Sequence, residues 1–523
     1  MGKHGFKMHD FIGTNGFFTD VMANLTPFGF IREYHNWDWT EYTAGSNRGN
    51  TDAATKKDGS IAIFNAGAWG GAFDNYYKNL KEAGIGVSIC IQLGVADTEH
   101  KNPNWQGNCD PENPKSYLAH AQSLFQHAAR YGSNKEIDLD LVRVEPSEKK
   151  QIGLGYVKYY ENWNEPDASW VPVGDGQFTG AMFAAMLSAD YDGHMGTMGA
   201  DVGVKNADPN AKVVLGGLAF SPAYDNMDCK DHFKFTEDVM KWCNENRSEE
   251  KWLEAKGTLD GYVKYPFDIF NGHDYCENGT TGISPEAAGL YQTTCKLVEY
   301  CHKNFPEAEI WMSEFGWDSG VTHKSRFAAQ VEYIDEDGEI KNKGINIGLT
   351  ARDVQARWLI REYLILAAAG IDRAMQFMLC NSGNPDEKEE GKWFETSGFI
   401  NDVVSSGSVD RKPSWYYVSA MRHWLKDTAF KSVISHGSGD VPEVYSFVED
   451  GEYNGKTVYA MWLTTCLGIS AKVSYRLAVG AAKRATAIEL ADKKEHGIEI
   501  PLDIVDGTVT IEVTENPLFI ITE

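Results

Sequence analysis

Short apolar runs alternate with amphipathic segments from residue 11 to residue 425. Helical spacing is clear in Phe73, Tyr76, Tyr77 and Leu80, which share one face of a helix that ends near Gly84. The runs predict strands at 11–18, 30–36, 87–91, 156–160, 213–218, 267–273, 309–313 and 374–378. Each predicted strand is followed by a connection or helix, and eight such alternations are what a (β/α)8 barrel requires.

The pattern changes after Asp427. Short β-rich runs at 443–448, 457–464, 473–477, 508–513 and 518–522 are separated by Gly and Asp turn signals. These runs predict a small antiparallel sandwich. The sequence therefore predicts an α/β protein with a (β/α)8 TIM barrel at 1–428 and a β-sandwich at 429–523.

Charge narrows the range of partners. The chain has 49 Lys and Arg against 75 Asp and Glu, a formal net charge of −26. Such a surface repels nucleic acid and anionic lipid head groups, so neither nucleic acid nor a membrane is an expected partner. A local basic cleft could still accept an anionic glycan. We expect a monomer or a homodimer.

The cysteines and the N-terminus bear on location. The nine cysteines are an odd number, so they cannot all be paired within the chain, and most are expected to be reduced and buried. Met1–Gly5 lacks the apolar segment of a secretory signal, and no run approaches the roughly 18 apolar residues of a membrane span. The sequence as given predicts a soluble protein. A secreted or periplasmic location stays open if a signal was removed.

Two predicted strands each end in a glutamate. Glu165 follows the run 156–160 and precedes Pro166, which cannot continue a central strand. Glu314 follows the run 309–313. In parallel α/β proteins, chemistry takes place at these carboxyl ends. A lone glutamate there is usually only solvated, but two of them on one barrel predict a catalytic pair.

Glycoside hydrolysis uses such a pair of carboxyl groups. Glu165, among aromatic residues, suits a partly desolvated acid that also serves as base, whereas Glu314 is expected to be an ionised nucleophile. A gap of about 5 to 5.5 Å between the two groups would give retention of anomeric configuration. Strand alternation also predicts that Glu161, Trp163 and Glu165 point to one side. Glu161 then needs a buried partner, for which Arg143 and Lys158 are candidates that the sequence does not decide between.

Two motifs carry a family resemblance. Trp163–Pro166 and Trp311–Gly316 resemble the strand-four and strand-seven signatures of clan A glycoside hydrolases, which are retaining (β/α)8 enzymes. The resemblance implies that Arg32 lies near the nucleophile and that Asn164 contacts the sugar 2-hydroxyl. It also implies that His273-Asp274-Tyr275 supplies a phenol that orients the nucleophile.

The family within the clan is less sharply defined. Asn15-Gly16-Phe17, Arg32–His35 and the sandwich look most like the agarase and porphyranase family, with the β-xylosidase and iduronidase family as neighbour. The first family tends to carry two sandwich modules, and only one is predicted here. The resemblance implies hydrolysis of a β-linked polysaccharide or oligosaccharide, with a galactan such as agarose or porphyran favoured. The alternatives are an exo-acting β-xylosidase-like glycosidase and a non-catalytic carbohydrate-binding barrel.

Aromatic and polar side chains near strand ends are candidates for substrate binding. The candidates are Arg32, His35, Trp37, Asn164, His273, Tyr275, Trp317 and Trp393. Trp317 and Trp393 are the preferred stacking platforms, although a loop anchor packed on the barrel is an equal alternative for any single tryptophan. Other tryptophans near strand ends are Trp39, Trp69, Trp105 and Trp170.

A nucleotide- or metal-dependent enzyme is the third class of function. Gly153-x-Gly155 precedes a strand instead of opening a helix, so it is not a phosphate loop. Asp335–Gly338 lacks the spaced ligands and final glutamate of a calcium loop, and a hairpin turn is favoured there. No histidine or cysteine spacing indicates a metal. We therefore expect no cofactor and no metal.

Overall fold

The computed structural model contains a closed barrel of eight parallel strands. It describes residues 6–40, 64, 68–92, 110–144, 148–168, 177–219, 229–279, 281–320, 325–329, 332–334, 340–342, 349–382, 393–401, 407–449, 455–464 and 472–523. The strands up to the seventh barrel strand are β1 Ile12–Gly16, β2 Phe30–Asn36, β3 Gly86–Gln92, β4 Tyr159–Glu161, β5 Lys212–Val214, β6 Leu218–Ala219, β7 Ile269–His273 and β8 Glu309–Glu314. A hairpin of β9 Glu332–Ile334 and β10 Ile340–Asn342 follows, and β11 Arg373–Gln376 is the eighth barrel strand.

The sheet order is β5-β4-β3-β2-β1-β11-β8-β7-β6, and pairing of β5 with β7 closes the barrel. The fifth barrel strand is split into β5 and β6, so β7 and β8 are the sixth and seventh barrel strands. The predicted fold class is confirmed.

Helices surround the barrel. They are α1 Met8–Phe11, α2 Ala68–Glu82, α3 Leu118–Tyr131, α4 Gly180–Gly196, α5 Val204–Ala207, α6 Cys229–Asn246, α7 Glu249–Lys256, α8 Leu290–Asn304, α9 Ala351–Ala369 and α10 Pro413–Leu425. Local signals fix their ends. Helix α9 begins with a capping box between Thr350 and Asp353, and Gly370 in a left-handed conformation ends it.

The barrel interior changes from apolar to polar along its axis. An apolar cluster fills the end where the strands begin, and it consists of Phe30, Tyr159, Val214, Ile269, Trp311 and Met375. On β2 the pleat directs Phe30, Arg32 and Tyr34 inward, while Glu33 and His35 face the surrounding helices. The polar layer therefore lies at the carboxyl ends, above an apolar base.

The C-terminal strands form two antiparallel sheets. The strands are β12 Ala429–Ser435, β13 Glu443–Val448, β14 Thr457–Trp462, β15 Val473–Ala478, β16 Ala485–Glu489, β17 Ile498–Leu502, β18 Thr508–Val513 and β19 Leu518–Thr522. Six of them form one sheet, in the order β12-β13-β14-β19-β16-β17, and β15 pairs with β18. A shared core that includes Val444, Met461, Leu477 and Val509 joins the two sheets as a sandwich.

The six-stranded sheet also packs on the barrel. Alternate residues of its central strands, such as Phe447 and Phe519, belong to the main hydrophobic core. The indole Nε1 of the buried Trp462 donates to Oε1 of Glu286 at 2.6 Å, in the connection before α8. Apolar burial and this hydrogen bond hold the sandwich against the barrel.

The sequence analysis expected no membrane-spanning segment and mostly reduced, buried cysteines. Within the described ranges, no helix combines the length and the apolar character that a bilayer crossing needs. Six cysteines of the described part of the chain are free thiols, and four of them are buried: Cys90, Cys243, Cys276 and Cys301.

Candidate active site

Glu165 and Glu314 meet at the carboxyl end of the barrel. Glu314 is the last residue of β8, and Glu165 lies just beyond β4. One carboxylate oxygen of each and one ring nitrogen of His273 lie within 4.8 Å of one another. The side chain of Glu165 is 22% exposed and that of Glu314 is 7% exposed. The pair therefore shares one enclosed space, with Glu165 nearer to solvent.

Arg32 is fully buried beneath this pair. Its Nη1 donates to Oε1 of Glu314 at 2.8 Å, and its Nη2 donates to Oδ1 of Asn164 at 2.8 Å. Its Nε and Nη2 each donate to one oxygen of Glu161 at 2.7 Å. A planar guanidinium suits such forked contacts. Arg32 thus links the carboxyl ends of β2, β4 and β8.

Glu161 points into the barrel, as predicted, but its partner is Arg32. It also accepts hydrogen bonds at 3.1 Å from the backbone N–H of Gly217 and from Nδ2 of Asn271. Four donors therefore surround this carboxylate. Neither candidate partner named from the sequence is correct, because Arg143 pairs with Asp201 and Lys158 lies over the ring of Tyr159.

The segment between β4 and Glu165 departs from regular strand geometry. Strand pairing stops at residue 161 and resumes as a single bridge between Asn164 and Gly217. The two intervening residues, Asn162 and Trp163, both face the outer helices. The predicted shared side for residues 161, 163 and 165 is therefore wrong. Glu165 adopts a left-handed φ of +48°, and its N–H donates to the carbonyl of Gly217 at 3.0 Å.

Two phenols hold Glu314. Tyr275 donates to its Oε2 at 2.8 Å, and Tyr34 donates to its Oε1. The guanidinium of Arg32 also lies 4.7 Å from the centre of the Tyr34 ring. Sequence reasoning missed Tyr34. The signal that could have found it is strand alternation, since Tyr34 lies two residues beyond Arg32 on β2.

His273 connects the two halves of the site. Its Nδ1 lies 3.0 Å from Oε1 of Glu165, and its Nε2 lies 3.0 Å from the hydroxyl of Ser313. A Cβ on Gly217 would lie 2.1 Å from that Nε2, so a larger residue would displace the imidazole. Gly217 therefore leaves the space that His273 occupies.

The surroundings push the pKa values of the two glutamates apart. Burial raises the pKa of Glu165, the negative charge of Glu314 raises it further, and His273 opposes both effects. Burial also acts to raise the pKa of Glu314, but His273, Arg32 and the two tyrosine hydroxyls outweigh it and lower that pKa. The surroundings therefore favour the protonated form of Glu165 and the ionised form of Glu314.

Two predicted substrate-binding residues do not lie at this site. His35 faces outward, where its Nε2 lies 3.2 Å from the hydroxyl of Thr40 and its ring packs on Phe73. Trp37 is fully buried against the ring of His120. The pleat of β2 explains the placement of His35, since side chains one residue apart point to opposite faces.

The two preferred tryptophans differ in exposure. Trp317 is fully buried, and its indole N–H donates to two backbone carbonyls, so neither face of its ring is open to a ligand. Trp393 is 45% exposed and makes an edge contact with Phe327. Phe394 stacks on Phe327 at 4.4 Å and lies 4.8 Å from Tyr275. A row of aromatic rings therefore runs from Tyr275, which contacts Glu314, to Trp393.

Some predicted features fall outside the described residues. They are Trp105, Trp170 and the turn Asp335–Gly338, and the side chain of Trp69 is not described either. Strands β9 and β10 on either side of that turn pair antiparallel, as a hairpin requires. Trp39 is half-buried against Phe18 and Phe73.

A metal ion is a poor fit to the cluster of Glu165, His273 and Glu314. These residues are close enough to offer three ligand atoms. The guanidinium of Arg32, however, already lies 2.8 Å from Glu314 and offsets part of its charge. A second cation beside it would be repelled at short range.

Several solved structures that share this fold are glycoside hydrolases. A family 39 glycoside hydrolase from Bacteroides cellulosilyticus WH2 gives a TM-score of 0.55 at 16% identity, over 96% of this chain and 76% of that one. A GH30 endoxylanase from Clostridium papyrosolvens C71 gives a TM-score of 0.54 at 11% identity, over 99% of this chain and 98% of that one. A family 51 α-L-arabinofuranosidase, AbfB from Bifidobacterium longum, gives 0.52 at 12% identity, over 100% and 98%.

No family model and no curated protein sequence matches this chain. The structural neighbours are clan A glycoside hydrolases, so the predicted resemblance to that clan is confirmed in the fold.

Removing the buried cation is expected to destabilise the fold. In Arg32→Met, Glu161 and Glu314 remain buried without a counter-charge, and the free energy of unfolding should fall by about 3–5 kcal/mol. Urea denaturation would measure the loss. Arg484→Met is the control, because its ion pair with Glu523 is exposed and such pairs contribute little. A loss no larger than that of the control would contradict a central role for Arg32.

Proposed function

We propose that this protein is a retaining O-glycoside hydrolase that acts by double displacement. The observation that supports the proposal best is the unequal environment of the two glutamates. Glu314 accepts hydrogen bonds from Arg32, Tyr34 and Tyr275, which suits an ionised nucleophile. Glu165 contacts His273 and is partly exposed, which suits a group that exchanges protons with substrate and water.

In the first step, Glu314 attacks the anomeric carbon while Glu165 protonates the glycosidic oxygen, and the bond to the leaving group breaks. This gives a glycosyl ester on Glu314 and a free alcohol. In the second step, Glu165 takes a proton from water, which attacks the same carbon and releases Glu314. Asn164, whose Oδ1 is fixed by Arg32, presents its amide N–H groups to the sugar.

The proposed substrate is a β-linked polysaccharide or oligosaccharide, with a galactan such as agarose or porphyran as the first candidate. That preference comes from the motifs around Asn15 and Arg32. Both side chains bond within the barrel, where Asn15 donates to the carbonyl of Ser313 at 2.7 Å, so they support the site more directly than they select a sugar. The endoxylanase among the structural neighbours makes xylan the second candidate.

A non-catalytic carbohydrate-binding barrel is less consistent with this geometry. Both glutamates are in place, and each has hydrogen-bond partners that suit its proposed role.

A substrate screen tests the reaction and the sugar together. Purified protein is expected to hydrolyse a β-linked galactan or xylan with retained anomeric configuration, which proton NMR of fresh product would show. Chromatographic sizing of the products would separate endo from exo cleavage. Glu314→Gln protein is the matched control for contaminating activity. An inverted product would exclude the covalent route.

Substitution of each glutamate should give a distinct kinetic defect. Glu314→Gln is expected to lower kcat by a factor of at least about 10³ while substrate binding stays measurable, because the amide cannot form the ester. Glu165→Ala should retain activity on aryl glycosides with good leaving groups and regain rate with azide, which needs no general base. Full activity of Glu314→Gln would contradict its role as nucleophile, and failure of both Glu165→Ala tests would contradict acid/base catalysis by Glu165.

The opposed pKa shifts predict a broad bell-shaped dependence of kcat/KM on pH. Activity is lost at low pH when Glu314 becomes protonated, and its lowered pKa moves this limb to lower pH. Activity is lost at high pH when Glu165 ionises, and its raised pKa moves that limb to higher pH. Because the two groups interact, the two apparent pKa values read from the profile belong to the coupled pair and not to either residue alone. Glu165→Ala should lose the alkaline limb on activated substrates, and an unchanged limb would contradict the assignment.

A further inference from the structure

A chain of buried polar side chains lies directly behind the turn that carries Glu165. Nδ2 of Asn162 donates to Oδ2 of Asp190 at 3.3 Å, and Nδ1 of His120 lies 2.9 Å from the other oxygen of Asp190. The N–H of Gly216 donates to Oδ1 of Asn162 at 3.0 Å. We propose that Asn162, Asp190 and His120, the Asn162 brace, are positioning residues that hold Glu165 in place for proton transfer.

Burial makes the brace rigid. All three side chains are fully buried, and they come from three elements, since His120 lies on α3, Asp190 on α4 and Asn162 just beyond β4. A buried polar group that loses its partner costs free energy, so alternative arrangements of these side chains are unfavourable. The brace therefore fixes the irregular turn relative to two helices.

The chemistry of Asn162 matches this position. Its amide has a donor end that faces the carboxylate of Asp190 and an acceptor end that faces the N–H of Gly216. Neither an apolar residue nor a carboxylic acid in its ionised form can satisfy both contacts. The amide consequently ties α4 to the fifth barrel strand, across the turn.

The brace acts on Glu165 through a short path. Only Trp163 and Asn164 separate Asn162 from Glu165, and Trp163 packs with its ring centre 6.1 Å from that of His120. Beyond the turn, the N–H of Glu165 donates to Gly217, next to the glycine that contacts Asn162. Movement of Asn162 would therefore shift two things that hold Glu165 in place. One is the chain segment from Asn162 to Glu165, and the other is the strand at Gly217 that accepts the Glu165 N–H.

Asn162→Asp is the sharpest single test. The substitution keeps an acceptor for Gly216 but places a carboxylate against that of Asp190. Because small displacements of a catalytic group are costly, kcat/KM for substrates with poor leaving groups should fall by about 10–100-fold. Aryl glycosides with good leaving groups need little acid assistance, so they should lose no more than about threefold. Equal losses on both substrates would overturn the proposal.

A swap variant separates positioning from general damage. In Asn162→Asp/Asp190→Asn the amide and the carboxylate exchange places, and each hydrogen bond has a donor and an acceptor again. The double variant is expected to recover at least about tenfold of the lost kcat/KM on poor leaving groups. Asp192→Asn is the control on the same helix, because Asp192 pairs with Arg247 at 2.8 Å, away from β4. This control variant should lower stability, and any change in its kcat/KM should be the same for good and poor leaving groups.

The kinetic test rests on the proposed function, so a structural measurement accompanies it. A crystal structure of Asn162→Asp is expected to show the carboxylate of Glu165 displaced from Nδ1 of His273, which it contacts at 3.0 Å here. An unchanged contact would overturn the proposal whether or not the wild-type protein hydrolyses glycosides. Absence of hydrolysis by the wild-type protein would instead contradict the proposed function and leave the structural result to decide the role of the brace.

Discussion

One buried guanidinium holds the polar end of this barrel together. Arg32 has no exposed surface, and it donates to Glu161, Glu314 and Asn164 from three different nitrogens. A buried cation is tolerated only when its donors are satisfied, so each of these acceptors is held at a fixed place. The guanidinium that pairs with Glu314 through Nη1 also fixes the end of β4 through Nε and Nη2, which donate to Glu161. Stability of the barrel and geometry of the site therefore depend on one side chain.

Regular strands alone would not bring Glu165 to the same place. Asn162 and Trp163 are consecutive and both face outward, whereas a regular strand would direct only one of them outward. This irregularity shifts Asn164 and Glu165 to the barrel mouth. Irregularities of this kind often re-aim side chains near active sites. The partner strand adapts as well, because it is split into β5 and β6 around Gly216 and Gly217. A Cβ on Gly216 would lie 2.7 Å from the carbonyl of Trp163, so the close approach of the two strands requires glycine there.

The sequence predicted what depends on local pattern. Hydrophobic periodicity located the eight barrel strands, and β2 and β8 follow the predicted bounds closely. It predicted the pair Glu165 and Glu314 because both follow apolar runs. It did not predict the partner of Glu161, which is 129 residues away and meets Arg32 only once the barrel closes. Trp163 points outward because the turn after β4 is irregular, and the strict alternation of side chains along a regular strand does not predict such a turn. Burial of Trp317 likewise follows from packing between distant segments.

The charge balance around Arg32 also explains how one glutamate can serve as acid and then as base. Glu314 in its ionised form is among the causes that raise the pKa of Glu165. Esterification of Glu314 in the proposed mechanism removes that negative charge, and Arg32 keeps Glu161 as its ionic partner. The pKa of Glu165 then falls, because the like charge beside it has gone while His273 is still in contact. The group that has just given its proton to the leaving oxygen is thereby kept ionised, as the attack of water requires. Release of Glu314 restores its charge and, with it, the protonated form of Glu165.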